Sequence, residues 1–192
     1  SILPTIMLPG GRQRFLDPYT TLWKYDPAKN TIEPTQTYFS GLGFRCGTRQ
    51  TASGFIYGTT MEGELFRYSP SKDELNLLGS NFLQNGEYIT VCELSPDERY
   101  LYYLVAAHGA SGFSGTPLMQ YNIGSGERKV LAFLEEPMLK AFNYAPGETY
   151  GMKISSDGSK LYIGFSGAFP LSPEPTGKSG RSDGPGLTAF AV

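Results

Sequence analysis

The sequence predicts an all-β fold, and two features of its composition support this prediction. Aromatic residues that favour strands are frequent, with 13 tyrosines and 12 phenylalanines among 192 residues. Turn-forming residues are also frequent, with 24 glycines and 14 prolines, which suits many short strands joined by tight connections. A third observation, an internal repeat, indicates how those strands are arranged.

The repeat is a short segment of alternating residues that occurs four times. Its copies begin at Leu22, Leu65, Leu118 and Leu187, spaced 43, 53 and 69 residues apart. A second phrase, at 95–102 and again at 155–162, has the pattern of a strand that follows a tight turn. A unit of four strands with a period near 43 residues is typical of a β-propeller blade.

The repeat predicts one partial propeller domain over 1–192, with about four blades of four-stranded antiparallel sheet at 1–40, 41–80, 81–135 and 136–192. Pro4–Leu8 is expected to be the second strand of the first blade, whose first strand is absent. The fourth blade is expected to lack its last strand. A closed ring of six to eight blades needs roughly 260–340 residues. We therefore expect a complementary polypeptide to complete the ring: a partner chain, a missing N-terminal half of the same protein, or a second copy.

The repeated phrases resemble a known superfamily. Ser-Pro-Asp at 95–97, continuing to Tyr-Leu-Tyr at 100–102, is followed by Leu118-Met119-Gln120-Tyr121-Asn122. This pattern is similar to the blades of WD40-like propellers, especially their YVTN and TolB-type bacterial branches. The resemblance implies the fold but no single activity, because these scaffolds serve many unrelated functions.

Charge and composition exclude several function classes. The net charge is −2 and no basic stripe is present, so a nucleic-acid surface is not expected. No apolar run is long enough for a membrane span. Two cysteines do not form a disulfide framework. Few lysines with many tyrosines and glycines favour an extracellular or periplasmic location.

Long loops mark one face of the predicted propeller as the functional face, because rigid scaffolds carry function on such loops. The loop at 106–116 contains Ser111 and the only histidine, His108. His108 is a candidate acid, base or metal ligand, and it is equally a candidate for an ordinary surface histidine. A single histidine disfavours a multi-histidine metal site, and no metal or cofactor is predicted.

The first strand of each blade supplies further candidates. Counting back nine residues from Phe55, Leu101 and Leu161 aligns three soft side chains: Cys46, Cys92 and Met152. They would form either a redox or metal cluster or, as we favour, ordinary packing. Because neighbouring first strands belong to different blades, we expect the cysteines to be too far apart for a disulfide.

Charged and aromatic residues near the same strands predict a ligand site. Arg45, Glu93 and Lys153 are expected to face the central channel and to orient a polar ligand, although Glu93 and Lys153 could instead neutralise each other. Tyr150 belongs to a set of tyrosines near the starts of these strands that would either stack on a carbohydrate or peptide or pack the blades together.

Two functions follow from these features. The favoured one is a ligand-binding or scaffolding propeller that uses the face of long loops. The alternative is a propeller enzyme, lyase-like or hydrolase-like, that acts on a polar extracellular substrate such as a polysaccharide with His108 as the acid or base.

Overall fold

The computed structural model describes residues 19–40, 44–60, 63–80, 89, 91–105, 115–142, 146, 149–165 and 186–191. Within these residues the chain forms thirteen strands, arranged in four antiparallel sheets, and one short helix. The prediction of an all-β fold is therefore confirmed. The expected strand at Pro4–Leu8 lies outside the described residues.

Strands pair with their sequence neighbours in every sheet. Sheet 1 contains β1 (Tyr19–Asp26) and β2 (Thr31–Ser40). Sheet 2 contains β3 (Phe44–Gly47), β4 (Ile56–Thr60), β5 (Glu64–Ser69) and β6 (Glu74–Ser80). Sheet 3 contains β7 (Cys92–Leu94), β8 (Tyr100–Leu104), β9 (Pro117–Asn122) and β10 (Arg128–Phe133). Sheet 4 contains β11 (Thr149–Ile154), β12 (Lys160–Phe165) and β13 (Gly186–Ala191).

The turn between the first two strands is built by the same side chains in sheets 3 and 4. The hydroxyl of Ser95 donates to Asp97 over 2.6 Å and accepts from the amide of Tyr100 over 2.9 Å. In sheet 4, Ser155 donates to Asp157 over 2.5 Å and accepts from the amide of Lys160 over 3.0 Å. These short side chains occupy backbone donors that a tight turn would otherwise leave unpaired.

The register of sheet 2 differs from the alignment made on the sequence. Tyr121 pairs with Leu101 in sheet 3, and the corresponding Tyr68 pairs with Ile56 in sheet 2. Ile56, and not Phe55, therefore occupies the position of Leu101. The sequence did not reveal this because residues 55–57 are all apolar and the run shows no alternation.

The one-residue correction moves Cys46 to the other face of its strand. Cys92 pairs with Tyr103, and the corresponding pair in sheet 2 is Gly47 with Gly58. The alignment of Cys46 with Cys92 and Met152 was therefore wrong by one residue. Because side chains alternate along a strand, Cys46 points towards sheet 3 and Cys92 points back towards sheet 2.

The core lies between successive sheets. One apolar cluster joins Tyr57 and Leu65 of sheet 2 to residues of sheet 3 that include Leu101 and Tyr103. A second cluster joins sheet 3 to sheet 4 and includes four fully or nearly fully buried side chains: Leu104, Leu118, Leu161 and Ile163. Burial of apolar surface on both faces of sheet 3 is the main force that holds these sheets together.

A helix, α1 (Glu135–Phe142), occupies part of the connection between sheets 3 and 4. Met138 is buried in the cluster between sheets 3 and 4, so one face of the helix is anchored. Glu135 and Glu136 lie in the first turn and Lys140 in the last, which matches the helix dipole. None of the described helical residues forms a segment long and apolar enough to span a membrane.

Candidate functional site: the inner-strand cleft

The first strands of sheets 2, 3 and 4 together line a cleft with a volume of about 450 Å³. It is lined by residues 46–49, 91–93 and 151–153 together with Tyr162 and Gly164. The lining residues come from β3, β7, β11 and β12 and from the residues that flank these strands. The packing of the sheets, more than any single loop, therefore creates it.

An ion pair crosses the cleft wall. The ammonium group of Lys153 donates to Oε2 of Glu93 over 2.8 Å, and this bond joins sheet 4 to sheet 3. The side chain of Lys153 remains 80% exposed, whereas that of Glu93 is only 17% exposed. The two residues neutralise each other, as one of the sequence alternatives held. Because an ammonium group has three donors, the bond to Glu93 leaves donor capacity for a ligand.

Tyr162 also lines the cleft and lies directly opposite Lys153 in the β11–β12 pair. Residues 161 and 163 point into the cluster shared with sheet 3, so Tyr162 is on the opposite face of sheet 4. Its side chain is 39% exposed. The aromatic ring therefore borders the cleft from the face of sheet 4 that is turned away from sheet 3.

A second ion pair holds sheets 2 and 3 together at the turn side of the cleft. Arg49 forms a salt bridge with Glu98, which also accepts from the amide of Ala52 over 2.9 Å. The hydrogen bond from the Arg49 side chain is the main reason why the pKa of Glu98 is lowered. The sequence prediction missed Arg49. The sequence signal for this contact was the position of Glu98 directly after Ser-Pro-Asp in the turn. In the structure, Glu98 adopts a positive φ of 59°.

The two cysteines lie in contact, contrary to the prediction that they are too far apart. The Cys46 thiol donates to Sγ of Cys92 over 2.9 Å and lies 3.0 Å from the hydroxyl oxygen of Thr59. Cys92 is buried, and the hydrogen bond with Cys46 together with burial raises the pKa of the Cys92 thiol. Met152 packs in the cluster between sheets 3 and 4, so the aligned trio does not form one cluster.

The structure describes only some of the remaining residues that the sequence predicted for the site. Arg45 is half-buried on β3. It is not among the residues that line the cleft, which on this strand begin at Cys46. The backbone of Tyr150 belongs to β11, but its side chain lies outside the described part of the structure, as do His108 and Ser111. Among the described side chains, no group of three or more His, Cys, Asp or Glu residues could hold a metal ion.

Comparisons with known proteins identify the architecture. No family model and no curated protein sequence matches this chain. Solved structures do match. A proposed 6-phosphogluconolactonase from Bacteroides uniformis aligns with a TM-score of 0.54 and 13% identity, over 85% of this chain and 50% of the other. A GH74 xyloglucanase from Xanthomonas campestris aligns with a TM-score of 0.55 and 12% identity, over 76% and 24%.

Both structures are propellers. The fold of this chain is a β-propeller. The extracellular domain of a proposed hybrid two-component system from B. thetaiotaomicron also aligns, with a TM-score of 0.52 and 15% identity, over 77% of this chain and 18% of the other. This chain therefore spans half or less of each of the three structures. The described sheets do not close into a ring.

Proposed function

We propose that this protein is a ligand-binding β-propeller whose inner-strand cleft takes a small polar ligand with a carboxylate group. The observation that carries this proposal is the exposed ammonium group of Lys153, held by Glu93 at the wall of a cleft shared by three strands. A flexible lysine on an open surface would lack this fixed position. The bond to Glu93 orients the remaining donors of Lys153 before the ligand arrives, which reduces the entropy cost of binding.

The chemistry of the cleft favours an acidic carbohydrate. A volume of about 450 Å³ is in the range of small-molecule sites. Lys153 would bind the carboxylate, and the carboxylate of Glu93 would accept hydrogen bonds from neighbouring hydroxyl groups. A peptide is the other ligand class that the sequence suggests, and it serves as a competitor in the test.

A complementary polypeptide would complete the propeller on the face of sheet 4 that is turned away from sheet 3. Sheets 2 and 3 each have four strands, whereas β13 is the last described strand of sheet 4. A strand added beside β13 and a further sheet packed over Tyr162 would give the ring its usual six to eight blades.

The finer family and the location belong to the same proposal. The Ser-Pro-Asp turn at 95–97 and the Leu-x-x-Tyr strands support membership of the WD40-like group, in its YVTN or TolB-type branches. We place the protein outside the cytoplasm, in the periplasm or beyond the cell. The composition supports this location, as does the structural likeness to an extracellular domain. Fractionation of cells that express the natural protein tests it.

Calorimetric titration with acidic and neutral sugars tests ligand binding. We expect an acidic oligosaccharide to bind and its neutral counterpart to bind at least tenfold more weakly. Lys153→Ala should reduce the affinity for the acidic sugar about tenfold or more, because a hydrogen bond between charged groups contributes roughly 1.5–3 kcal/mol.

Lys129→Ala is the matched control, since Lys129 is an exposed lysine on β10, away from the cleft. It should bind like the unaltered protein. Equal losses in both variants would indicate general charge attraction, and would contradict a specific site. Binding of acidic peptides in preference to sugars would replace the proposed ligand class.

A further inference from the structure

The two cysteines of this chain meet across the boundary between sheets 2 and 3. Cys46 pairs with Thr59 in sheet 2, and Cys92 pairs with Tyr103 in sheet 3. Their positions along the two strands differ by one residue, so the side chains point towards each other. Forty-six residues of chain separate them, yet the sulfur atoms are 2.9 Å apart.

This separation favours a direct bond over a shared metal ion. A zinc ion bound by two thiolates at about 2.3 Å would hold the sulfurs roughly 3.8 Å apart. A disulfide needs a separation of about 2.05 Å, so the two sulfurs would have to approach by only about 1 Å. Among the described residues, no third acidic, cysteine or histidine side chain joins them to complete a metal site.

The surroundings assign different roles to the two thiols. Cys46 is half-buried at the cleft wall, where a reagent in the cleft can reach it. Cys92 is only 8% exposed. The hydroxyl of Thr59, itself fully buried, donates to the carbonyl oxygen of Ile89 over 2.9 Å and so fixes the oxygen that contacts Cys46. Cys46 is therefore both accessible and positioned against its partner.

We infer that Cys46 and Cys92 are a redox-active pair that forms a reversible disulfide between neighbouring blades. The oxidant is an external disulfide, either a small molecule such as oxidised glutathione or a protein disulfide. The Cys46 thiolate attacks it, forms a mixed disulfide and releases one thiol. The Cys92 thiolate then attacks the Cys46 sulfur and releases the second thiol, so that the two cysteine protons end on the two released thiols.

Oxidation would change the wall of the cleft and the stability of the fold. The bond would join β3 to β7 and close a long loop of chain, which restricts the unfolded state. We expect the unfolding temperature to rise by about 5 to 10 °C on oxidation and to return on reduction. This inference does not depend on the proposed ligand, since it concerns the thiols alone.

The test exposes the full protein, first reduced and freed of reductant, to oxidised glutathione under native conditions. We expect both titratable thiols to be lost and the mass to fall by two hydrogen atoms. Digestion with trypsin should then yield peptide 46–49 linked to peptide 73–99, and reduction should separate them. Because the chain has two cysteines in all, no other internal pairing can produce this result.

Two variants separate the steps. Cys92→Ser should stop at the mixed disulfide and retain one glutathione on Cys46. Cys46→Ser should react at least tenfold more slowly, because its remaining thiol is buried. Circular dichroism tests whether each variant is folded. If a variant is unfolded, the result for the unaltered protein alone decides whether the disulfide forms. The inference would be overturned if both cysteine thiols stay titratable. It would also be overturned if disulfide bonds form only between two protein molecules.

Discussion

At the scale of single residues, the close approach of backbone and side chains limits which residue types the inner strands can contain. Gly58 lies opposite Gly47, under the ring of Phe66. A Cβ atom at Gly58 would lie 2.5 Å from the carbonyl oxygen of Cys46 and would also overlap Phe66. The glycine therefore permits β3 and β4 to pair beneath an aromatic ring.

Gly58→Ala is expected to lower the free energy of unfolding by about 1–3 kcal/mol, because the added methyl group forces apart well-packed atoms. Gly151→Ala is the matched control, since a Cβ atom there meets nothing within 4 Å. Denaturant titrations of both variants provide the measurement. A loss at Gly151 as large as that at Gly58 would disprove the steric explanation.

Asp157 illustrates how a surface turn depends on charge. The hydrogen bond from the hydroxyl of Ser155, followed by those from the amide and hydroxyl of Ser159, lowers the pKa of Asp157 from 3.8 to about 2. The charged form is thus favoured in the folded state. Its contribution to stability is complete above the unfolded pKa and is lost as the pH falls from about 4 to 2.

Asp157→Asn should therefore reduce stability at neutral pH and flatten the loss of stability between pH 4 and pH 2. Urea midpoints measured across that range check this expectation. Glu127→Gln, which removes an exposed carboxylate from another turn, is the control and should keep the steeper acid profile. An unchanged profile in Asp157→Asn would show that the turn does not depend on the ionised carboxylate.

At the scale of elements, packing between the sheets dominates. Ile163 of β12 is fully buried in the cluster that joins sheets 3 and 4. In contrast, Ile32 of β2 is 55% exposed. The same residue type therefore occupies two environments whose contributions to the hydrophobic core differ widely.

Ile163→Ala should cost about 2–5 kcal/mol through lost burial and the cavity left behind. Ile32→Ala should change the free energy of unfolding by about 0.5 kcal/mol or less. Chemical denaturation measures both. If the two substitutions had equal effects, the cluster between sheets 3 and 4 would not be the stabilising unit described above.

At the scale of the whole molecule, the face of sheet 4 that is turned away from sheet 3 bears on the proposed assembly. Tyr162 is exposed there, whereas residues 161 and 163 on the other face of β12 are fully buried. An aromatic ring at a boundary between blades gains stabilisation when a further sheet covers it. The proposed complementary polypeptide supplies that cover.

Tyr162→Asp should therefore weaken the complex with that polypeptide about tenfold or more, because a charge would be buried at the contact. Copurification followed by analytical ultracentrifugation of the natural assembly measures the effect. Lys129→Ala, on the outer strand of sheet 3, should leave the complex unchanged. An undiminished complex in Tyr162→Asp would place the contact elsewhere.

The order and type of the strands were accessible from the sequence. The Leu-x-x-Tyr segments at 65–68 and 118–121 lie on the third strands of their sheets, and the Ser-Pro-Asp segment forms a turn between strands as predicted. These signals are local, because alternation and turn chemistry act over a few residues. Glu93 and Lys153 were named on the sequence as ligand-orienting residues or, alternatively, as a neutralising pair, and in the structure they are hydrogen-bonded to each other.

The contact between the cysteines was decided only by the tertiary structure. The apolar run at 55–57 fits two registers equally well, and the pairing of Ile56 with Tyr68 selects one of them. A shift of one residue exchanges the faces of a strand, which turns Cys46 towards Cys92. The sequence by itself determined an all-β propeller fold with its repeating turns. Which side chains meet between the sheets depended on long-range pairing that local patterns do not encode.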